Sequence, residues 1–280
     1  ASLMRQFVNK IVLTDPQEFE ARRGQPAIYL ANHQVGVESF LFLGTIAAMT
    51  GIPAEAIAKT EHRDSWLGQI SRLTQEELKE QSTTRMLFFD RDDQSDMLRI
   101  LNEFGETVHD QPRSLLVHVD GTRAVKSNQP TEKVSSVLID LAVKYSIPII
   151  PVRFAGGLPV ETTEKLEFPI GYGGQDYYLG AVIEADELRS LPYADRAKMV
   201  LAAINELGST GDRPCPADEA FADRAVASQS DRTEVQRVLR AALETNPELG
   251  ERMQKLLDDI ARGNTKTLSH AETIVVDLLG

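Results

Sequence analysis

The sequence predicts an α/β fold in which a mostly parallel central sheet is flanked by helices. Short apolar runs bounded by turn residues alternate with longer amphipathic segments from residue 27 to about residue 207. This alternation of strand and helix is typical of layer folds with a parallel sheet. Polar clusters also recur directly after the apolar runs, at the carboxyl ends of strands, where such folds collect functional groups.

The individual elements follow from the pattern in chain order. The apolar run 27–31 predicts a buried first strand, and the segment 38–50 predicts a helix that ends at Gly51. The later strands are short apolar runs, expected at 56–60, 85–91, 114–120, 148–156, 165–170 and 176–185. The later helices are amphipathic segments, expected at 64–73, 95–108, 134–146 and 193–207.

The chain changes character near residue 208. Residues 1–208 contain the alternating pattern and form the predicted domain. From residue 209 a linker with proline and glycine leads into amphipathic helices at 231–243 and 248–260. Residues 209–280 are therefore interpreted as a linker and a C-terminal helical extension packed on the domain, and the alternative is a docking element for a partner.

The charge balance limits the partners of the chain. Its 280 residues carry a formal net charge of −12, and the pI is near 5.0. Such a chain is a poor candidate for nonspecific binding of nucleic acid, and an anionic membrane surface repels it overall. Any anionic ligand therefore needs a local basic pocket.

Cysteine and apolar content indicate the cellular setting. Cys215 is the single cysteine, which excludes an internal disulfide and a multi-cysteine metal site and fits a reducing, cytoplasmic compartment. The sequence has no run of about 18 apolar residues, so no transmembrane segment is predicted. The apolar face of 38–44 leaves room for peripheral contact with a membrane, although packing in the core is the favoured interpretation.

His33 and Glu38 form a candidate catalytic pair after the first predicted strand. If a helix starts near residues 34–37, the carboxylate lies about one turn from the imidazole. It can then accept a hydrogen bond from one ring nitrogen and leave the other nitrogen as a general base. A histidine and a carboxylate at this spacing also arise by chance, so an ordinary capping turn is the alternative.

Basic residues at strand ends predict an anion pocket. Lys59 ends one predicted strand, Arg91 ends the next, and Arg123 follows a third. Arginine binds phosphate through two parallel N–H groups, and Gly121 lets a backbone amide approach a ligand closely. The alternative is a set of surface salt bridges, since three aspartates lie between residues 90 and 93.

The sequence lacks the motifs of a protein nucleophile or of a nucleotide site. It contains no G-x-S-x-G elbow, no Walker loop, no G-x-G-x-x-G segment and no zinc ligand set. His118 alternates along a predicted strand and is interpreted as a packing residue. The residues therefore indicate a general base without a protein nucleophile, beside an anion pocket.

Four ordered segments resemble the motifs of the glycerolipid acyltransferases, whose best-known members are the lysophosphatidic acid acyltransferases. "NHQVGVE" resembles the first motif, N-H-x4-D, with His33 kept and Glu38 in place of aspartate. "RMLFFDR" is similar to the second motif, G-x-x-F-[IV]-[DE]-R, with Arg85 in place of glycine. "HVDGTR" is similar to the third motif, F-P-E-G-T-R, with His118 in place of phenylalanine and Asp120 in place of glutamate.

The resemblance extends from residue 27 to about residue 207 and implies the family's α/β fold. The fourth motif, V-P-[IV]-[IV]-P-V, is similar to "IPIIPV", which contains Pro151. Lys59 and Gly68 fall where the family has a lysine-bearing strand and a following helix with glycine.

The resemblance implies acyl transfer from a thioester to a hydroxyl group. His33 would take the proton of the acceptor hydroxyl, and Glu38 would hold His33. The acceptor would be lysophosphatidic acid or glycerol phosphate, and the co-substrate would be an acyl-phosphopantetheine thioester on acyl carrier protein or coenzyme A. The resemblance implies no acyl-enzyme, no metal and no bound cofactor. The implied substrate-binding residues are Lys59, Arg91, Asp120, Gly121, Thr122, Arg123 and Pro151.

Departures from the family pattern suggest a soluble branch. The resemblance would include membrane-inserted N-terminal helices, and this sequence shows none. In this respect the chain resembles acyltransferase domains within polyunsaturated fatty acid or polyketide-type synthases. The chain is therefore expected to be a domain of a larger protein. Two alternatives stay open, namely an acyl thioester hydrolase and a non-catalytic module of a lipid synthase that binds acyl carrier protein.

Overall fold

A computed structural model describes residues 4, 7–63, 68–69, 84–90, 92–127, 129–159, 161–166, 169 and 174–208. These residues form a mostly parallel central sheet flanked by helices, which confirms the predicted fold class. The predicted linker and helical extension at 209–280, and most of the helix predicted at 64–73, lie outside the described residues. Within the described ranges, no helix combines the length and the apolar character that crossing a membrane requires.

The strands and helices alternate through most of the described chain. The strands are β1 (Val8–Leu13), β2 (Ile28–Ala31), β3 (Ala54–Lys59), β4 (Thr84–Phe89), β5 (Ser114–His118), β6 (Ile149–Gly156) and β7 (Gln175–Leu179). The helices are α1 (Pro16–Ala21), α2 (Glu38–Thr50), α3 (Gln94–Thr107), α4 (Ser136–Tyr145), α5 (Ala185–Ser190) and α6 (Tyr193–Glu206). A 3₁₀ turn at Thr60–His62 directly follows β3.

The strand order places β2 inside the sheet. The strands lie side by side as β1-β7-β6-β2-β5-β3-β4. Neighbouring strands pair in parallel, except for β6 and β7, which pair antiparallel. Leu30 of β2 pairs with Val117 of β5 on one side and with Pro151 of β6 on the other. All four residues of β2 are apolar and buried, as expected for a strand that is covered on both faces.

Different helices cover the two faces of the sheet. Tyr29 points toward α2, where it contacts Phe42 edge to face, whereas the preceding Ile28 joins a cluster with Phe104 of α3 and Leu138 of α4. β2 therefore leads into a helix on one face, and its neighbour β5 leads into α4 on the other face. The chain thus crosses to opposite faces after these two neighbouring strands, and open α/β sheets bind ligands at the carboxyl ends of such strands.

The ends of the described domain differ from the sequence expectation. β1 and α1 precede the first predicted strand, and only residues 11–13 of β1 are apolar and buried. The strand expected at 165–170 is wrong, because Lys165, Leu166 and Pro169 lie outside any strand. The carbonyl of Leu166 instead accepts hydrogen bonds from the Gly36 amide at 3.0 Å and from Arg123 Nη1 at 2.9 Å. This segment thus packs against the loops at the carboxyl edge of the sheet.

Candidate active site

The loop after β2 carries His33 and is held by the neighbouring strand. The side chain of Asn32 donates to the Phe154 carbonyl at 2.9 Å and accepts from the Phe154 amide at 2.7 Å. The His33 carbonyl accepts a hydrogen bond from the Ala124 amide at 2.7 Å, in the loop that follows β5. Backbone and side-chain contacts from β6 and from the loop after β5 therefore fix the position of His33.

His33 and Glu38 form the predicted pair. Nδ1 of His33 lies 2.6 Å from Oε1 of Glu38, which is the first residue of α2 and is fully buried. Three N–H groups also donate to this carboxylate. The backbone amide of Gln34 reaches Oε1 at 2.7 Å, the amide of Val35 reaches Oε2 at 3.2 Å, and the side chain of Gln175 reaches Oε2 at 2.9 Å. These hydrogen bonds therefore fix the orientation of the Glu38 carboxylate toward the imidazole of His33.

The surroundings set the protonation of the pair. Burial raises the pKa of the Glu38 carboxyl group above its ordinary value, and its hydrogen-bond donors act in the opposite direction. Burial lowers the pKa of His33. Nearby positive charges lower it further, those of Arg123, His62, Lys59 and Lys165. At neutral pH the pair is thus a neutral imidazole beside a carboxylate, and Nδ1–H donates to Glu38 while Nε2 carries the basic lone pair.

His118, which the sequence suggested only as a packing residue, lies directly against the pair. Its ring stacks on His33 with the ring centroids 3.8 Å apart and an angle of 19° between the planes. Nδ1 of His118 lies 2.7 Å from the Asn32 carbonyl, and Nε2 lies 2.8 Å from Oγ of Ser39. The signal that could have found it is register, because His118 pairs with Ala31, two residues before His33, once β2 and β5 are placed side by side.

A cavity of about 210 Å³ opens beside His33. Most of its wall is apolar, as is usual for a ligand-binding pocket. The apolar residues that line it include Phe40, Ile57, Met86, Phe88, Met97, Val117 and Leu138. Ser39 and His118 also line the cavity, so the stacked histidines face the same space as the apolar wall.

Two of the predicted basic residues line this cavity. Lys59 ends β3, and Arg123 follows β5 together with Gly121; all three line the cavity with His33, which follows β2. Gly121 adopts a left-handed conformation with φ of 64°, and a Cβ atom there would meet no neighbour within 4 Å. The positive charges of Lys59 and Arg123 in an otherwise acidic chain therefore form the local basic environment that an anionic ligand needs.

Other predicted binding residues lie apart from the cavity. Asp120 accepts a hydrogen bond from the Thr131 hydroxyl at 3.3 Å, and Thr122 is exposed. Pro151 is buried in β6, where its carbonyl accepts from the Gly180 amide at 2.8 Å. None of Asp120, Thr122 and Pro151 lines the cavity, and Arg91 lies outside the described residues. Among the predicted binding residues that the structure describes, Lys59, Gly121 and Arg123 line the cavity, and the binding role of each predicted residue stays a prediction.

Sequence reasoning also missed two residues of the site that are far from its motifs in the sequence. Gln175 on β7 donates to Glu38, and His62 in the 3₁₀ turn lines the cavity. Neither has a motif that marks it, because Gln175 is 137 residues away from Glu38 and reaches it only through the antiparallel pairing of β7 with β6.

His33, Glu38 and His118 each place a metal-ligand atom within 4.8 Å of the others. The Asn32 carbonyl can only accept a hydrogen bond, so Nδ1 of His118 carries a proton and Nε2 is the nitrogen of this ring that could bind a metal ion. The nearly parallel rings also direct their in-plane lone pairs side by side rather than at one common point.

Comparison with known proteins gives concordant results. The sequence profile of the family named Acyltransferase matches residues 10–155, which is more than half of the chain. A probable 1-acyl-sn-glycerol-3-phosphate acyltransferase of Mycoplasma pneumoniae is 26% identical over 160 residues, which make up 56% of this chain and 54% of the relative. The chain therefore spans about half the length of the curated relative that it matches.

Proposed function

The chain belongs to the acyltransferase family, as its resemblance to the glycerolipid acyltransferases predicted, and from that premise we propose a specific reaction. The proposed reaction moves a fatty acyl group from an acyl thioester to the hydroxyl group of lysophosphatidic acid or glycerol phosphate. The observation that carries the proposal is the 2.6 Å contact between His33 and Glu38 beside a cavity whose wall is mostly apolar and includes the cationic side chains of Lys59 and Arg123.

The proposed chemistry needs one base and no protein nucleophile. Nε2 of His33 accepts the proton of the acceptor hydroxyl while that oxygen attacks the thioester carbonyl carbon. The new C–O bond replaces the C–S bond, and the imidazolium returns its proton to the departing thiolate. Glu38 keeps Nδ1–H in place and stabilises the imidazolium while it exists.

The cavity offers a surface for the acyl chain and another for the phosphate of the acceptor. Phe40, Phe88 and Leu138 provide apolar surface for an acyl chain. Lys59 and Arg123 provide positive charge for the phosphate of the acceptor. Because these residues line one cavity together with His33, the acceptor hydroxyl and the thioester can meet beside the proposed base.

The test is a mass-spectrometric transfer assay. The chain is incubated with lysophosphatidic acid and a long-chain acyl thioester, presented in parallel on acyl carrier protein and on coenzyme A. His33→Ala removes the proposed base, and His109→Ala is the matched control, because His109 is exposed and its Nε2 contacts the Tyr145 carbonyl instead. Phosphatidic acid should form with wild type and with the control and disappear with His33→Ala.

The same assay separates the alternatives. The ratio of product from the two donors ranks acyl carrier protein against coenzyme A. Release of free fatty acid without lipid product would indicate hydrolysis. Binding of acyl carrier protein without turnover, unchanged in His33→Ala, would indicate a non-catalytic carrier-binding module and would contradict the proposal.

A further inference from the structure

We propose that His118 is a positioning residue that holds the ring of His33 during acyl transfer, and this inference rests on the proposed function. His118 stands where the resembling motif has phenylalanine. His118 thus keeps an aromatic face against His33, and its imidazole adds two ring nitrogens that form hydrogen bonds, which a phenyl ring lacks.

The hydrogen bonds of His118 fix its orientation and place a proton on Nδ1. The Asn32 carbonyl accepts from Nδ1–H, and Nε2 accepts from the Ser39 hydroxyl. Both nitrogens are used in the neutral form, and the ring cannot rotate without breaking one of the two bonds. Because the Asn32 carbonyl belongs to the residue directly before His33, the anchor moves together with the group that it supports.

The stack restrains a motion of the His33 ring that its contact with Glu38 leaves free, namely tilting out of the ring plane. Glu38 restrains His33 within the ring plane, through Nδ1. His118 covers the face of the ring at a centroid distance of 3.8 Å and prevents it from tilting out of that plane. The two contacts together aim Nε2 at the reacting hydroxyl, and such alignment is what a near-attack geometry requires.

The stack also affects the proton that His33 takes up. A neutral aromatic face stabilises an imidazolium, whereas a charged one would repel it. Burial and the neighbouring His33 lower the pKa of His118, which keeps its ring neutral at neutral pH. The other titratable or charged groups that act on the pair come from separate elements, namely Glu38 on α2, Lys59 on β3, His62 in the 3₁₀ turn, Arg123 after β5 and Lys165. The carboxylate of Glu38 is the single negative charge in this set.

The first part of the test needs no substrate. Long-range ¹H–¹⁵N NMR on histidine-labelled wild type should show His118 protonated at Nδ1 alone, with no titration near the ordinary histidine pKa of about 6.5. His33 should give one sharp set of ring signals in wild type and in His118→Phe. In His118→Leu the face is lost, and the His33 signals should broaden or shift.

The second part measures catalysis in folded protein. At a temperature where thermal melting shows every variant folded, His118→Leu should lower kcat about tenfold with little change in the acceptor KM, and His118→Phe should stay within about threefold of wild type. Ser39→Ala, which removes the bond to Nε2 and keeps the ring, should fall between these two.

The outcomes separate this inference from the proposed function. The positioning role would be overturned if both His118 variants lost activity in proportion to their unfolding. It would also be overturned if His118 titrated near pH 6.5, about the ordinary histidine pKa. If wild type shows no acyl transfer, the proposed function fails. The NMR comparison of His33 in His118→Phe and His118→Leu then decides the positioning role alone, and identical His33 signals would overturn it.

Discussion

Replacing Glu38 with aspartate, the residue of the resembling motif, should cost activity in this chain. The carboxylate of Glu38 reaches back from the start of α2 to Nδ1 of His33 at 2.6 Å and to the Gln34 amide at 2.7 Å. Aspartate is shorter by one C–C bond, about 1.5 Å, so both contacts would stretch to about 4 Å if the backbone stays in place. At that distance neither contact is a hydrogen bond.

The expected loss follows from the strength of the bond that orients the base. A hydrogen bond to a charged group contributes about 1.5–3 kcal/mol, and loss of about 2 kcal/mol of orientation lowers kcat about 30-fold. The Gln34 and Val35 amides and the Gln175 side chain would also lose a buried acceptor. Because an unsatisfied buried donor costs about 1 kcal/mol or more, the free energy of unfolding should fall by about 2–3 kcal/mol.

The assay compares kcat for acyl transfer in wild type and Glu38→Asp, together with urea unfolding of both. Glu20→Asp is the matched control, because Glu20 is exposed on α1 and contacts only Arg23 among the ion pairs of the described residues. The control should keep both activity and stability. Activity of Glu38→Asp above about one third of wild type would refute the claim that this carboxylate needs the longer side chain, because such a change is less than about 1 kcal/mol.

Three further results are expected from the same assay. Arg123→Ala should raise the acceptor KM about tenfold or more with a smaller change in kcat, because a charge-assisted contact to phosphate is lost; an unchanged KM would place the phosphate elsewhere. The acid limb of kcat/KM should report Glu38, whose pKa burial raises to about 6. The carboxylate is lost as the pH falls through that value, while the lowered pKa of His33 keeps the imidazole neutral, so a rate that stays level down to about pH 5 would contradict this assignment. Gly68→Ala should reduce kcat about tenfold with native circular dichroism, because the added Cβ would overlap the His62 carbonyl and displace the 3₁₀ turn that follows Lys59; full activity would show that the turn adjusts.

The inner strands of the fold could be predicted because each is a short apolar run with a clear boundary. The helix at 38–50 was placed correctly because Gly51, with φ of 76°, ends it in the conformation that glycine favours. β1 was missed because Asn9 and Lys10 interrupt its apolar pattern and only its second half is buried. The strand expected at 165–170 failed for the opposite reason. Leu166 packs against the hydrophobic core and its carbonyl accepts from Gly36 and Arg123, and periodicity does not distinguish such packing from sheet pairing.

The candidate site could be predicted where its residues are close in sequence. His33 and Glu38 are five positions apart, and a strand followed by a helix start brings them together. Lys59 and Arg123 were expected at the same sheet edge because parallel strands end there. Gln175 and His118 were not assigned to the site, since their contacts depend on the strand order, which the alternation of strands and helices does not specify.

Glu38 and His118 both depart from the resembling motif, and both contact the imidazole ring of His33. Glu38 meets His33 at its edge, with its longer side chain locked by donors that include Gln175. His118 meets the same ring at its face and is anchored through Asn32 and Ser39. Both substitutions therefore change how the base is held and leave the base itself in place. These contacts give partners to both oxygens of the Glu38 carboxylate and to both ring nitrogens of His118, which are buried polar atoms that would be costly to leave unpaired.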